Sequence, residues 1–227
     1  MPEARTIIDL IEMRPIVLVS IGSWEQHGPH LPFDTDTVIA TELVRRASEA
    51  LHDVPTLVAS SIGFSASGEH AGFPGTISIG TGATTRVLVE VARSCDWSDG
   101  VVFVNGHGGN HDAIVEASTI IRGEGRRVMM WSPTSSDPTD THAGHVETSV
   151  MLAIDPARVR MDRAVVGTTA RISDVASTLR ESGVRAISEN GVLGDPTRAN
   201  ADDGRIILDT WTRSLVDAVR TWLREMP

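Results

Sequence analysis

"VVFVNGHGGNHDAIVEASTII", residues 101–121, runs from four apolar residues through a glycine-rich turn into Ala113, Ile114, Ala117, Ile120 and Ile121, apolar positions at helical spacing. A short continuous run of β-branched and aromatic residues suits a strand buried on both faces, so the stretch reads as strand, turn, helix. Similar runs occur at 15–21 (PIVLVSI), 56–59 and 128–131 (VMMW). Between them lie helical patterns at Ile39, Leu43, Val44, Ala47 and Leu51 and at Val87, Leu88, Val91 and Ala92; a last one, Ile207, Trp211, Leu215, Ala218 and Trp222, closes the chain. This alternation predicts an α/β fold whose mainly parallel sheet is covered by helices on both sides. Ligands in such folds bind beyond the carboxyl ends of the strands. The 227 residues hold no repeat or low-complexity tract, so one domain spanning 1–227 is expected.

Composition narrows the function. An apolar fraction of 41% and a charged fraction of 22% permit a buried core. A net charge of −10 argues against nucleic-acid and anionic-membrane partners, which need basic surface. Residues 1–15 carry acids within a short apolar pattern, unlike a secretory signal, and no run of 18 apolar residues occurs; a cytoplasmic protein is expected. Cys95 is the single cysteine, which leaves oxygen and nitrogen as metal donors within one chain. All 20 basic residues are Arg and there is no Tyr, so Schiff-base lysine, P-loop lysine and tyrosine acid/base chemistry are excluded. "GTGATT", residues 80–85, lacks the third glycine of a dinucleotide fingerprint and reads as a threonine-capped strand-to-helix turn.

The ionisable residues gather where glycine and proline forbid regular structure. In "GSWEQHGPHLPFDTDT", residues 22–37, Glu25 and His27 are two apart and share one side of an extended segment, and a Gly28/Pro29/Pro32 turn allows Asp36 to fold back toward them. His107 follows the 101–104 run in a glycine turn, and within "HAGHVETS", residues 142–149, Glu147 begins a helix that runs on through VMLAI. Three separated segments that each combine His with carboxylate point to one or two divalent metals. Two ions keep three buried carboxylates nearer neutrality, and imidazole with carboxylate favours Zn, Fe or Mn over Ca or Mg. A structural ion-pair network is the competing account.

The motifs "GSWEQHGPHLPFDTD", "GEHAGFPGTIS", "NGHGGN" and "HAGHVETS", in this order, resemble the creatininase family of metal-dependent amidohydrolases over nearly the whole chain. The resemblance implies a three-layer α/β/α fold, a hexamer-like or larger homo-oligomer, and two divalent ions per chain, Zn and/or Fe with Mn as a further option. Glu25 and His107 would hold one ion and His27 the other, with Asp36 bridging. His142 matches the family's catalytic histidine and would protonate the leaving amine, a role for an imidazole titrating near neutrality. Members that hydrolyse creatinine carry a glutamate ligand where Gly109 stands here, and Glu147 is the replacement expected. His145 and Trp24, also departures from the family pattern, are expected to shape the substrate pocket, as are Glu69 and His70. His30 and Asp34 are expected behind the ligands. Within the family the closer likeness is to peptidases acting on a small ribosomal peptide already modified by a radical enzyme. The cut falls after glycine and frees a cyclised Val-Tyr-derived fragment that becomes the core of a redox cofactor; Trp24, Phe64, Phe73 and Trp131 would line its pocket. Hydrolysis of a small cyclic amide or formamide is the enzymatic alternative, and a metal-stabilised binding protein without turnover the non-enzymatic one.

Overall fold

In the computed structural model, which describes residues 6–135 and 137–225, four parallel strands form one sheet in the order β2-β1-β3-β4. They are β1 (Ile16–Ile21), β2 (Thr56–Val58), β3 (Gly100–Asn105) and β4 (Val128–Trp131). β1 and β3 are central and every residue of both is buried, as their unbroken apolar runs require. Their side chains alternate between two cores. Ile16, Leu18, Val102 and Val104 face one that contains residues of α2 (Thr35–Ala50), α5 (His145–Ile154) and α7 (Ala201–Arg224). Val17, Val19, Val101 and Phe103 face the other, with α3 (Thr81–Arg93) and α4 (His111–Gly123). The result is the expected three-layer α/β/α arrangement. α1 (Ile7–Met13) precedes the sheet and α6 (Ile172–Ser182) lies outside both cores.

The strand expected at 56–59 ends at Val58. The expectation at 80–85 needs correction: no strand directly precedes α3, and its N-cap is Gly80, whose φ of +77° closes the turn, while the Thr84 hydroxyl donates back to the Gly80 carbonyl at 2.9 Å. Of the amino-terminal stretch, residues 1–5 lie outside the described residues, as do Ser136 and residues 226–227. No helix among the described residues is long and apolar enough to cross a membrane.

Candidate metal centre

β1 and β3 are neighbours whose chains depart to opposite sides, β1 toward β2 and β3 toward β4. A crevice opens at such a switch point beyond the carboxyl ends of the strands. The loop leaving β1 folds on itself around Gly28, His27 bridging to Pro29 and Leu31, and the Glu25 amide closes it by donating to the Phe33 carbonyl at 3.0 Å. Asp36 then falls in the first turn of α2, where the helix end favours a carboxylate. His107 stands two residues beyond β3. His142 is set by a bridge to Leu193, and Glu147 by the start of α5, whose His145 and Val146 amides donate to buried Asp140 at 2.9 and 2.8 Å. Between them Ala143 holds a φ of +52°, uncommon for a residue with a Cβ, and its amide donates to Glu147 Oε2 at 2.6 Å.

These segments converge. His27 Nε2 lies 3.0 Å from Asp36 Oδ1 and 3.9 Å from Glu147 Oε2; His107 lies 3.1 Å from both Asp36 Oδ2 and Glu25 Oε2; His142 Nδ1 is 3.7 Å from Glu25 Oε1. Three trios bring their donor atoms within 4.8 Å: Glu25, His27 and Asp36; His27, His142 and Glu147; Glu25, His70 and His142.

The hydrogen bonds assign the tautomers. A backbone carbonyl only accepts, so His27 Nδ1 donates to Glu25 O at 3.1 Å, His107 Nε2 to Ala66 O at 2.9 Å and His142 Nε2 to Gln26 O at 2.9 Å. The opposite nitrogen of each ring faces carboxylate, the arrangement in which a metal-ligating imidazole is oriented by its other N–H. Gln26 orders the remaining ring. Its Oε1 accepts from the Gly28 amide, so its Nε2 donates to Gly191 O at 3.0 Å and to His70 Nδ1 at 2.9 Å. The His70 proton then sits on Nε2, 3.2 Å from Glu25 Oε1. Both Glu25 oxygens are nevertheless buried without a well-aligned hydrogen bond among the described residues. An orphaned carboxylate amid prepared imidazoles fits a divalent cation, and the donor set suits Zn, Fe or Mn.

Charge points the same way. Burial works against a charged His27, yet Asp36, then Glu147 and Glu25, overcome it and raise its pKa to about 10. Burial also opposes a charged His107, and Glu25, Asp36 and Glu69 overcome it and hold its pKa well above the usual range. Burial raises Glu147 to about 8, against the pull of His27. The acids here demand positive charge. His142 departs from the near-neutral titration expected: burial, with His27 and His70 nearby, pushes its pKa well below the ordinary value.

Of the residues singled out from sequence, Glu25, His27, Asp36, His107, His142, Glu147, Glu69 and His70 come together here. Glu69 fills the space freed by Gly109: a Cβ at 109 would land on Glu69 Oε1, which lies 3.3 Å from His107 Nε2. His30 is buried behind the cluster, its Nε2 2.8 Å from the Thr148 hydroxyl. Asp34 does not join it; this carboxylate turns outward and pairs with Arg158. His145 also turns away, its Nε2 3.1 Å from Asp203 on α7, because its position on α5 points opposite to Glu147. The aromatic pocket is likewise replaced. Trp24 stacks on Phe33 at 6.1 Å and tilts against Phe64 at 6.0 Å at the surface, Phe73 lies under Arg185, and Trp131 packs on the core. The cavity at the cluster, about 270 Å³, has aliphatic walls of Ile172, Leu179, Val184 and Leu193. Sequence reasoning passed over Gln26 and Asp140; the hint for Gln26 was its place between Glu25 and His27, and for Asp140 nothing local signalled burial.

A buried His-carboxylate cluster at the switch point of a parallel sheet is the layout of a metallohydrolase. Residues 2–219 match the family described as Creatininase: Creatinine amidohydrolase. A protein named mycofactocin precursor peptide peptidase from Mycolicibacterium smegmatis is 47% identical over 217 residues, 94% of this chain and 87% of the relative. Creatinine amidohydrolase of Pseudomonas putida is 26% identical over 246 residues, covering 90% of this chain and 88% of the relative. A solved mutant creatininase superposes with a TM-score of 0.80 at 22% identity, over 97% of both chains, a likeness of fold. Other matching structures are named for their metals, a creatininase with Mn and a Zn–Zn type. The chain belongs to the creatininase family of amide hydrolases.

Proposed function

We propose that this chain is the peptidase that cuts a small, radical-modified ribosomal peptide after glycine, releasing its cyclised Val-Tyr-derived end, a mycofactocin precursor in the vocabulary of its 47%-identical relatives. The observation that carries amide hydrolysis is the cluster itself: His27, His107 and His142 each donate one ring proton to a backbone carbonyl and turn the other nitrogen toward a carboxylate, beside the orphaned Glu25. Glu25 and His107 would hold one divalent ion, His27 and Glu147 the other, and Asp36 both; Zn and Fe lead, with Mn a further option. Bound there, two such ions supply a water deprotonated near neutral pH and a Lewis acid for the amide oxygen.

The chain's own groups supply the rest. His142 lines the cavity, and its Nδ1 would take a proton and pass it to the leaving amine. Gln26 and Asp140 hold the rings and the α5 end in place. Leu179 and Val184 add apolar wall beside the reacting amide.

We read residues 1–227 as one domain, acting as a homo-oligomer in the cytoplasm. Exposed Ile7, Ile8 and Ile11 on α1 and the Trp24/Phe33/Phe64 surface support self-association. The test is metal analysis of the purified protein with mass spectrometry of the modified peptide. Near two equivalents of metal and a cut after glycine are expected. Metal-loaded protein that leaves the peptide intact yet opens creatinine would replace this substrate.

A further inference from the structure

We propose that the cavity beside the catalytic pocket binds, in extended form, the peptide segment on the amino-terminal side of the scissile bond. This rests on the peptidase reading. The inner cavity, about 270 Å³, is of a size to take a small cyclised end. A second cavity of about 870 Å³ adjoins it, and the two share Glu69, Gly108, Gly109 and Leu179. A chain leaving the inner pocket past Gly109 therefore enters the outer one.

The lining indicates the ligand class. Gly68, Gly72, Gly108, Gly109 and Gly183 all contribute to it, so much of the wall is bare backbone that another backbone can approach closely. Arg185 is committed, donating to the Gly72 carbonyl at 2.8 Å and lying over Phe73. The other ionisable side chains of the lining are Arg180, His111 and the acids Glu69, Asp112 and Glu181. That balance repels a polyanion and suits a neutral, dipolar peptide backbone.

Two glycines make the proposal testable. A Cβ added at Gly68 or Gly108 meets no atom within 4 Å, neither residue has a positive φ and both line the outer cavity, so a side chain can be added at its wall without a Cβ clash. Gly68→Leu and Gly108→Leu are compared with wild type, all metal-loaded, on the full modified peptide and on one truncated to the single glycine before the scissile bond. Inhibition by the amino-terminal product peptide is measured in parallel. The wild-type preference for the full peptide should fall about tenfold in kcat/KM, mainly through KM, and product inhibition should weaken with it. If wild type cleaves the peptide and the variants keep that preference and inhibition, the subsite is wrong and the peptidase reading stands. If wild type cleaves neither peptide, both fall.

Discussion

Two sets of carboxylates in this molecule are treated in opposite ways. On the surface beyond α3 and α4, Arg93, Glu124, Arg126 and Asp96 form a chain of ion pairs in which every acid meets a guanidinium in water. Beyond β1 and β3, Glu25, Asp36, Glu69 and Glu147 have no arginine partner among the described residues and face imidazoles instead. Exposed pairs are screened and contribute little. Buried acids without a permanent cation are costly unless positive charge is supplied from outside, and that difference separates a solvated surface from a candidate metal centre.

The comparison breaks most severely at Asp36. Asp36→Ala should remove most bound metal and lower activity about a thousandfold, the several kcal/mol that such ions contribute. Retention of full metal content in that variant, by elemental analysis, would make the cluster an ordinary ion-pair network. His142→Ala should keep its metal and lose about 10²–10⁴-fold in kcat, because only proton transfer is removed. Unchanged turnover would deny His142 its role.

Gln26→Glu keeps the shape but exchanges the N–H that His70 accepts for an acceptor. A loss of about 10–100-fold with a displaced pH–rate profile is expected. Wild-type rates in this isosteric variant would show that filling the space was the whole role of Gln26.

The next effect is on stability. Burial, then the charge of His27, lowers the His30 pKa from 6.5 to about 4. The folded protein thus binds this proton less readily than the unfolded chain. The stabilisation is full above pH 6.5 and is lost as pH falls toward about 4. His30→Gln should flatten urea-melt stability against pH across that window, and an unaltered slope would assign the acid sensitivity elsewhere. Smallest of all, Arg126→Ala should leave both thermal midpoint and activity where they were. A clear drop would mean the surface chain of ion pairs matters more than its exposure allows.

Much of the fold was legible because strand and helix periodicities are local. The β4 run 128–131 coincides with its strand, and the apolar positions expected on α2 and α7 pack on one core as Ile114, Ala117 and Ile121 of α4 do on the other, whereas Ile120 of α4 is exposed. The residues of the buried His-carboxylate cluster were legible because their chemistry is rare in loops rich in Gly and Pro. Asp34 and His145 misled because sequence proximity to a site says nothing about direction. Asp34 lies two residues before Asp36 yet turns to Arg158, and His145 lies two before Glu147 yet turns to Asp203.

The sequence by itself determined the strand–helix alternation, the exclusion of lysine, tyrosine and thiolate-cluster chemistry, and the His and carboxylate types that meet at the centre. All of these depend on residue identity and spacing along the chain. Only the tertiary structure decided that Gln26 orients His70, that Glu69 takes the space left by Gly109, that aliphatic residues wall one part of the inner pocket and that a glycine-lined cavity adjoins it. Those features arise between segments about 40 to 165 residues apart, such as Gln26 with Gly191 and Glu69 with Gly109, whose approach is set by packing on the sheet and has no local signature.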